Sequence, residues 1–194
     1  MRIKQLIQTC SDIITKPQQS WTQIQEHAKS LRFIYFNYLL SLLLSLPIAS
    51  VLGNYIFNPL FRKPIGIILL SAFIKIFVLF ITILSVSILA VRLAKLYQGK
   101  ASKANIHRLI VYSSTAYIVA CVLAAMFENY HSFIIVCQLM GIYSIYVMNV
   151  GLPKMIEMPV DKRIPFVASV VLLAIILNVG IRFLLTNLFQ ITSI

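Results

Sequence analysis

Long apolar runs alternate with short polar segments along most of the chain. A helix needs about 20 consecutive apolar residues to cross the hydrocarbon core of a bilayer, and five runs are about that long. The pattern therefore predicts an all-α polytopic membrane protein with five transmembrane helices. We expect an N-terminal segment over residues 1–32 and a transmembrane domain over residues 33–194, with spans at 33–52, 65–91, 109–127, 132–152 and 165–189.

The segment before the first run has a different periodicity. Apolar residues recur there at helical spacing, opposite a polar face, at Ile3, Leu6, Ile7, Cys10, Ile13 and Ile14. Pro17 ends this amphipathic helix and can open a second one, because proline is tolerated in a first helical turn. The second helix carries Trp21 and Ile24 on one side.

The two N-terminal helices have three possible roles. They could lie in the membrane interface, with Trp21 and Ile24 in the headgroup boundary and Lys4 and Lys16 against anionic lipid. They could instead bind a partner, or pack against the ends of the transmembrane helices. The sequence leaves all three open.

Composition supports a membrane protein. Of 194 residues, 60% are hydrophobic and 11% charged, whereas soluble domains are roughly 45–50% apolar and 25% charged. A soluble chain of this length could not bury so much apolar surface.

The positive charge is distributed unevenly between the two sides of the predicted bundle. Thirteen Lys and Arg residues lie in residues 1–32, 92–108 and 154–163, and two lie in the connection after the first run. Because short basic loops stay on the cytoplasmic side, we expect a multi-pass inner-membrane protein with a cytoplasmic N-terminus and an external C-terminus. The net charge of +12 then suggests anionic lipid headgroups as partners and not nucleic acid.

Lys75 lies in the middle of the second run. A lysine at the centre of a membrane helix costs roughly 2.5–3.5 kcal/mol on insertion scales, so we expect its side chain to face protein or water. It belongs to a weakly polar stripe at steps of three and four residues, which consists of Ser71, Lys75, Val78, Thr82 and Ser85. That stripe points inward or lines a cavity.

The predicted topology brings three charged residues to one depth. Lys75 lies in the outer half of the second span, Glu128 ends the third, and Arg182, four residues after Asn178, lies in the outer third of the fifth. Two cations against one carboxylate could hold an anionic ligand or a lipid headgroup. The hypothetical ligand site comprises Lys75, Glu128, Arg182, Ser71 and Asn178; the alternatives are a structural ion pair and outward snorkelling of the cations.

Small residues mark a packing face on the third run. Ala116, Ala120 and Ala124 repeat every four residues, a spacing that lets helices approach closely. This face could serve an intramolecular contact, a homo-oligomer or another membrane protein.

The chain lacks the motifs of the common hydrolases and phosphate-binding loops. Its histidines fall on different connections, its five carboxylates do not pair within the membrane, and its three cysteines have no ligand spacing. We therefore expect no catalytic residues, no metal and no cofactor.

Several motifs resemble those of a known family. Pro17-x-x-x-Trp21-x-x-Ile24 precedes the first run, a basic Gly99-Lys100-Ala101-Ser102-Lys103 turn precedes the third, Tyr112-Ser113 lies just inside the third, and Gly151-Leu152 closes the fourth. In order and spacing they are similar to the Yip family of five-helix membrane proteins. The likeness covers nearly the whole chain.

The resemblance carries expectations about function. Eukaryotic Yip proteins are associated with small Rab-type GTPases and early secretory membranes, whereas bacterial members mostly lack an assigned activity. The present chain has no Asp-Leu-x-Gly-Pro motif and no proline after Tyr112-Ser113, so it resembles the bacterial branch. We expect a non-enzymatic protein that organises membrane or recruits partners at the cytoplasmic face. The alternative is a transporter or channel for a small solute, anion or lipid, with a polar cavity around Lys75.

Overall fold

The computed structural model describes residues 3–57, 63–128 and 130–189, and within these ranges the chain is helical apart from its connections. Two short helices, α1 (Ile3–Thr15) and α2 (Pro17–Glu26), come first. Five helices long and apolar enough to span a membrane follow in the described residues: α3 (Phe33–Phe57), α4 (Ile65–Leu96), α5 (Lys103–Met126), α6 (His131–Met155) and α7 (Val160–Phe189). The predicted multi-pass, all-α fold is confirmed.

The helices are longer than the apolar runs, mainly at the ends that carry basic residues. Helix α4 continues to Leu96 and includes Arg92 and Lys95, whose long side chains can reach water from a helix end. Helix α5 begins at Lys103 because the Ser102 hydroxyl accepts the Asn105 N–H at 3.1 Å and caps the first turn.

Helix α3 is irregular along its length. Its windings at Phe33–Leu39 and Gly53–Phe57 are the wide π type, and Pro47 lies between them. Proline lacks an N–H and crowds the preceding turn, which accounts for the interruption of the α-helical winding at Leu44. Near the far end, Gly53 lies so close to the Met126 carbonyl that a Cβ atom there would overlap it. The glycine therefore allows α3 to contact the end of α5.

Helix α5 is the centre of the bundle and packs against α3, α4 and α6. Leu109, Val111 and Ile118 of this helix are completely buried. The predicted alanine face is used inside the protein, where Ala120 lies against Gly141 of α6. Helix α7 packs chiefly on α4 and only sparsely on α6.

Two connections pair on the side of the bundle where α1 and α2 lie, which we call the basic side. The Lys100 N–H donates to the Glu157 carbonyl at 2.8 Å, and the Glu157 N–H donates to the Lys100 carbonyl at 3.0 Å. Gln98 takes a left-handed φ of 59° to turn the chain into this pairing. The α4–α5 and α6–α7 connections are thus joined at one level.

Candidate functional site

A charged cluster forms at the end of the bundle opposite the basic side. Glu128 Oε1 lies 3.4 Å from Lys63 Nζ and 3.9 Å from Lys75 Nζ. The Lys75 side chain is 28% exposed, against 49% for Lys63, so Lys75 is the more protected cation. The topology brings Lys75 and Glu128 together as the sequence analysis expected. Lys63 was missed because it lies in a connection whose path cannot be read from hydrophobicity.

The other three predicted ligand residues occupy different places. Arg182 is exposed. Both Arg182 and Lys75 lie close enough to the Cys121 thiol to interact with it electrostatically. The Ser71 hydroxyl is bonded at 2.9 Å to the Ile68 carbonyl of its own helix. Asn178 lines a cavity in the membrane-spanning region that Lys75 does not line. The five residues therefore do not form one compact pocket.

That cavity, which we call the inner cavity, has a volume of about 420 Å³ and lies between α4, α5, α6 and α7. Its polar lining includes Thr82, Ser113, Ser114, Tyr117, Gln138 and Asn178, and no charged residue is among its described lining residues. A polar cavity around Lys75 was one alternative from the sequence and stays a prediction. The inner cavity is lined by Thr82 and Asn178 and not by Lys75. The reason is that Lys75 lies about two turns along α4 from Thr82, toward the charged cluster.

Thr82 is unusual among the hydroxyl residues of the bundle. The hydroxyls of Ser87, Ser113 and Ser114 donate to carbonyls of their own helices at 2.7 to 3.1 Å. Thr82 Oγ1 is buried without a hydrogen-bond partner among the described residues. An unsatisfied buried hydroxyl costs about 1–3 kcal/mol, so a molecule that bonded to Thr82 Oγ1 would offset part of that cost.

A second polar group of interest lies where α1 meets the bundle. The Tyr38 hydroxyl is hydrogen-bonded to Thr115 Oγ1 at 2.7 Å and lies 3.7 Å from Cys10 Sγ. The neighbouring Tyr35 hydroxyl is bonded to His107 Nδ1 at 2.7 Å. Burial raises the pKa of the Cys10 thiol, and the Tyr38 hydrogen bond offsets part of that rise. These contacts join α1, α3 and α5.

Trp21 lies inside the protein. Its side chain is 1% exposed, and its indole N–H donates to the Val147 carbonyl of α6 at 2.9 Å. The expectation that Trp21 anchors in the membrane interface is therefore corrected: the ring packs against protein, because a carbonyl of α6 satisfies its N–H. Ile24, on the same side of α2, also packs partly against the core.

Helix α1 is docked at one end only. Cys10 and Ile13 are buried, at 8% and 1% exposure, whereas Ile3 and Ile7 are 77% and 63% exposed. Lys4 and Lys16 are exposed as well. The first half of α1 thus presents an apolar edge and a cation away from the protein.

Comparison with known proteins places these features in a family. A family model described as the Yip1 domain matches residues 11–181. The chain belongs to the Yip family. No curated protein and no solved structure matches it.

Three of the four motifs that resemble the Yip family, although far apart in the sequence, meet in space. In this Yip protein Trp21 of α2 lies edge-on to Tyr112 of α5, with ring centroids 6.4 Å apart. It also lies against Gly151 of α6, where a Cβ atom would overlap the indole ring. The Pro17-to-Ile24, Tyr112-Ser113 and Gly151-Leu152 motifs therefore build one packing contact, which we call the tryptophan dock (Trp21, Tyr112, Val147 and Gly151).

Proposed function

We infer that this Yip protein is a non-enzymatic membrane organiser that acts through its basic side, which we place at the cytoplasmic face of the inner membrane. The observation that carries this inference is the half-docked state of α1. Cys10 and Ile13 fix one end of the helix to the bundle, while Ile3 and Ile7 remain exposed beside Lys4. Such a helix is suited to enter the headgroup boundary of the same membrane.

The magnitudes favour insertion into an anionic surface. Burying an isoleucine side chain fully is worth about 1.5–3 kcal/mol, and each cation near an anionic leaflet adds about 1 kcal/mol. Lys4, Lys16, Lys100 and Lys103 are all exposed. Insertion of α1 on one leaflet would spread its headgroups, and recruitment of a partner to the same exposed surface is the related possibility.

A test compares Ile3→Glu/Ile7→Glu with Gln8→Glu/Ser11→Glu. Both double variants add two carboxylates to exposed positions of α1, but only the first removes the apolar edge. We expect α1 amides of the wild type to be protected from hydrogen exchange in nanodiscs with anionic lipid, and the proteoliposomes to become tubular or smaller in cryo-electron micrographs. The Ile3/Ile7 variant should lose both effects and the control should keep them.

The proposal would be overturned if the Ile3→Glu/Ile7→Glu variant showed the same exchange protection of α1 and the same vesicle shape as the wild type. A partner-binding role without membrane insertion would leave vesicle shape unchanged in all three proteins.

Transport is the second candidate, favoured by the polar inner cavity. Thr82 and Asn178 line it, but its described lining offers no cation to an anionic solute. An uncharged solute or lipid therefore suits it better than an anion. Lys75 and Glu128 remain a separate candidate site for an anionic headgroup.

A further inference from the structure

The inner cavity lies beside a weakly packed pair of membrane helices. Helix α6 packs mainly on α5 and helix α7 mainly on α4, with few contacts between α6 and α7. On the other side of this sparse seam is a groove of about 830 Å³, which we call the outer groove, and all its described lining residues belong to α6 and α7.

The inner cavity and the outer groove share four lining side chains. They are Ile142, Ile145, Val171 and Ile175, all apolar. Ile142 and Ile175 are 57% and 56% exposed, so they face the lipid in a membrane. The inner cavity is thus bordered on its lipid-facing side by aliphatic side chains that can change rotamer.

The polar groups of the cavity define what could bind there. Thr82 is 5% exposed and its hydroxyl has no partner among the described residues. Asn178 adds an amide and Ser114 a hydroxyl oxygen to the same lining. Because the described lining carries no charge, a molecule with a phosphate or an ammonium group would lose its hydration without a counter-charge.

We propose that the inner cavity binds an uncharged long-chain lipid that enters from the bilayer between α6 and α7, with its hydroxyl or carbonyl group hydrogen-bonded to Thr82. A lipid without a charged headgroup can reach the middle of a bilayer, and the cavity lies midway along the membrane-spanning helices. The volume of about 420 Å³ is within the range of ligand cavities, roughly 300–1,000 Å³. The proposal rests on the cavity and is independent of the role of α1.

The test uses a diacylglycerol with a diazirine in one acyl chain and a terminal alkyne, and phosphatidylcholine with the same labelled chain. Each is mixed into liposomes that contain the full-length protein, and crosslinked peptides are located by mass spectrometry after illumination. We expect diacylglycerol to label the cavity-lining stretches of α4 and α6 more strongly than phosphatidylcholine.

Thr82→Val removes the hydroxyl with little change of shape, and we expect it to lower diacylglycerol labelling about fivefold, the effect of about 1 kcal/mol from one lost hydrogen bond. Thr82→Ser should retain labelling, and Ser85→Ala, which removes a hydroxyl one turn away on α4, should change nothing. Ala174→Leu should block labelling by filling the cavity.

Equal labelling by the two lipids would mean contact at the protein surface only and would overturn the proposal. So would wild-type labelling in Thr82→Val, which would indicate that the hydroxyl does not contact the lipid. Thermal unfolding of each variant in micelles separates loss of binding from loss of fold.

Discussion

At the scale of single residues, the tryptophan dock depends on the absence of one side chain. Gly151 lies in the last two turns of α6, where alanine would normally favour the helix by roughly 1 kcal/mol. Yet Trp21 occupies the space that a Cβ atom would need. The gain in helix propensity and the loss in packing therefore oppose each other, and the overlap with a rigid aromatic ring is the larger effect.

Gly151→Ala should destabilise the protein by about 1–3 kcal/mol, the cost of overpacking. Gly66→Ala is the matched control because no atom of the described residues lies within 4 Å of its added Cβ atom, and it should be neutral or slightly stabilising. Thermal unfolding in micelles measures both. Trp21 is the only tryptophan, so its fluorescence should shift to longer wavelength in Gly151→Ala alone. Equal stability of the two variants would contradict the dock.

Cys10 provides a second prediction at this scale. Burial raises its pKa, so the folded protein holds less thiolate than an exposed cysteine at the same pH, and only the thiolate reacts with maleimide. We expect slow labelling of Cys10 in micelles and faster labelling in the Ile13→Ala variant, which loosens α1. As the pH rises past the ordinary pKa of a thiol, the unfolded chain loses a proton that the folded chain keeps, so the free energy of unfolding decreases. Rapid labelling of the wild type would refute the docked position of α1.

At the scale of elements, a single carboxylate connects α5 with α4 and with the connection that precedes α4. Glu128 follows α5, Lys75 belongs to α4, and Lys63 is positioned by a hydrogen bond from its backbone N–H to Asn54 Oδ1 at 3.0 Å. We expect the pair with Lys75 to contribute more than the shorter pair with Lys63, because water screens the more exposed Lys63 ammonium more strongly.

Glu128→Gln should lower the free energy of unfolding by about 1 kcal/mol, the upper end for exposed pairs, because it removes two pairs at once. Lys63→Gln, which leaves Lys75 paired, should stay within about 0.5 kcal/mol of the wild type. Unfolding in micelles at low and high salt tests both expectations. The interpretation fails if Lys63→Gln is the more damaging change.

At the scale of the whole molecule, the pairing of two connections fixes which helix ends share a side. Lys100 and Glu157 form an antiparallel pair with both backbone hydrogen bonds, a geometry in which Cα atoms are about 5.5 Å apart. Disulfides span that distance. Lys100→Cys/Glu157→Cys should therefore form a bond on mild oxidation, seen as a mobility shift that reductant reverses, whereas either single variant should not. Failure to crosslink would contradict the arrangement of α4 to α7.

The sequence predicts the helices of this fold better than their contacts. Runs of apolar residues are sufficient for α3 to α7, and helical spacing with Pro17 is sufficient for α1 and α2. Depth also follows from topology, which is why Lys75 and Glu128 could be placed together. The contact of Trp21 with Gly151 could not be predicted. The periodicity of apolar residues shows which face of a helix is apolar, but not the distant residues against which that face packs. The inner cavity depends on sparse packing between α6 and α7, for which Gly141 and Ala174 were the available but ambiguous signals.

The hydrogen bond from Trp21 to Val147 has a consequence for the order of biosynthesis. Trp21 and Val147 are 126 positions apart in the chain, so Trp21 is synthesised well before Val147. Until the fourth span has been inserted, the indole N–H lacks the Val147 carbonyl as an acceptor. During that time the nearest apolar environment for α1 and α2 is the bilayer surface. In a nascent chain arrested after α5, the amino-terminal helices should therefore lie on the lipid surface. Once α6 has been synthesised and inserted, they should dock onto the bundle.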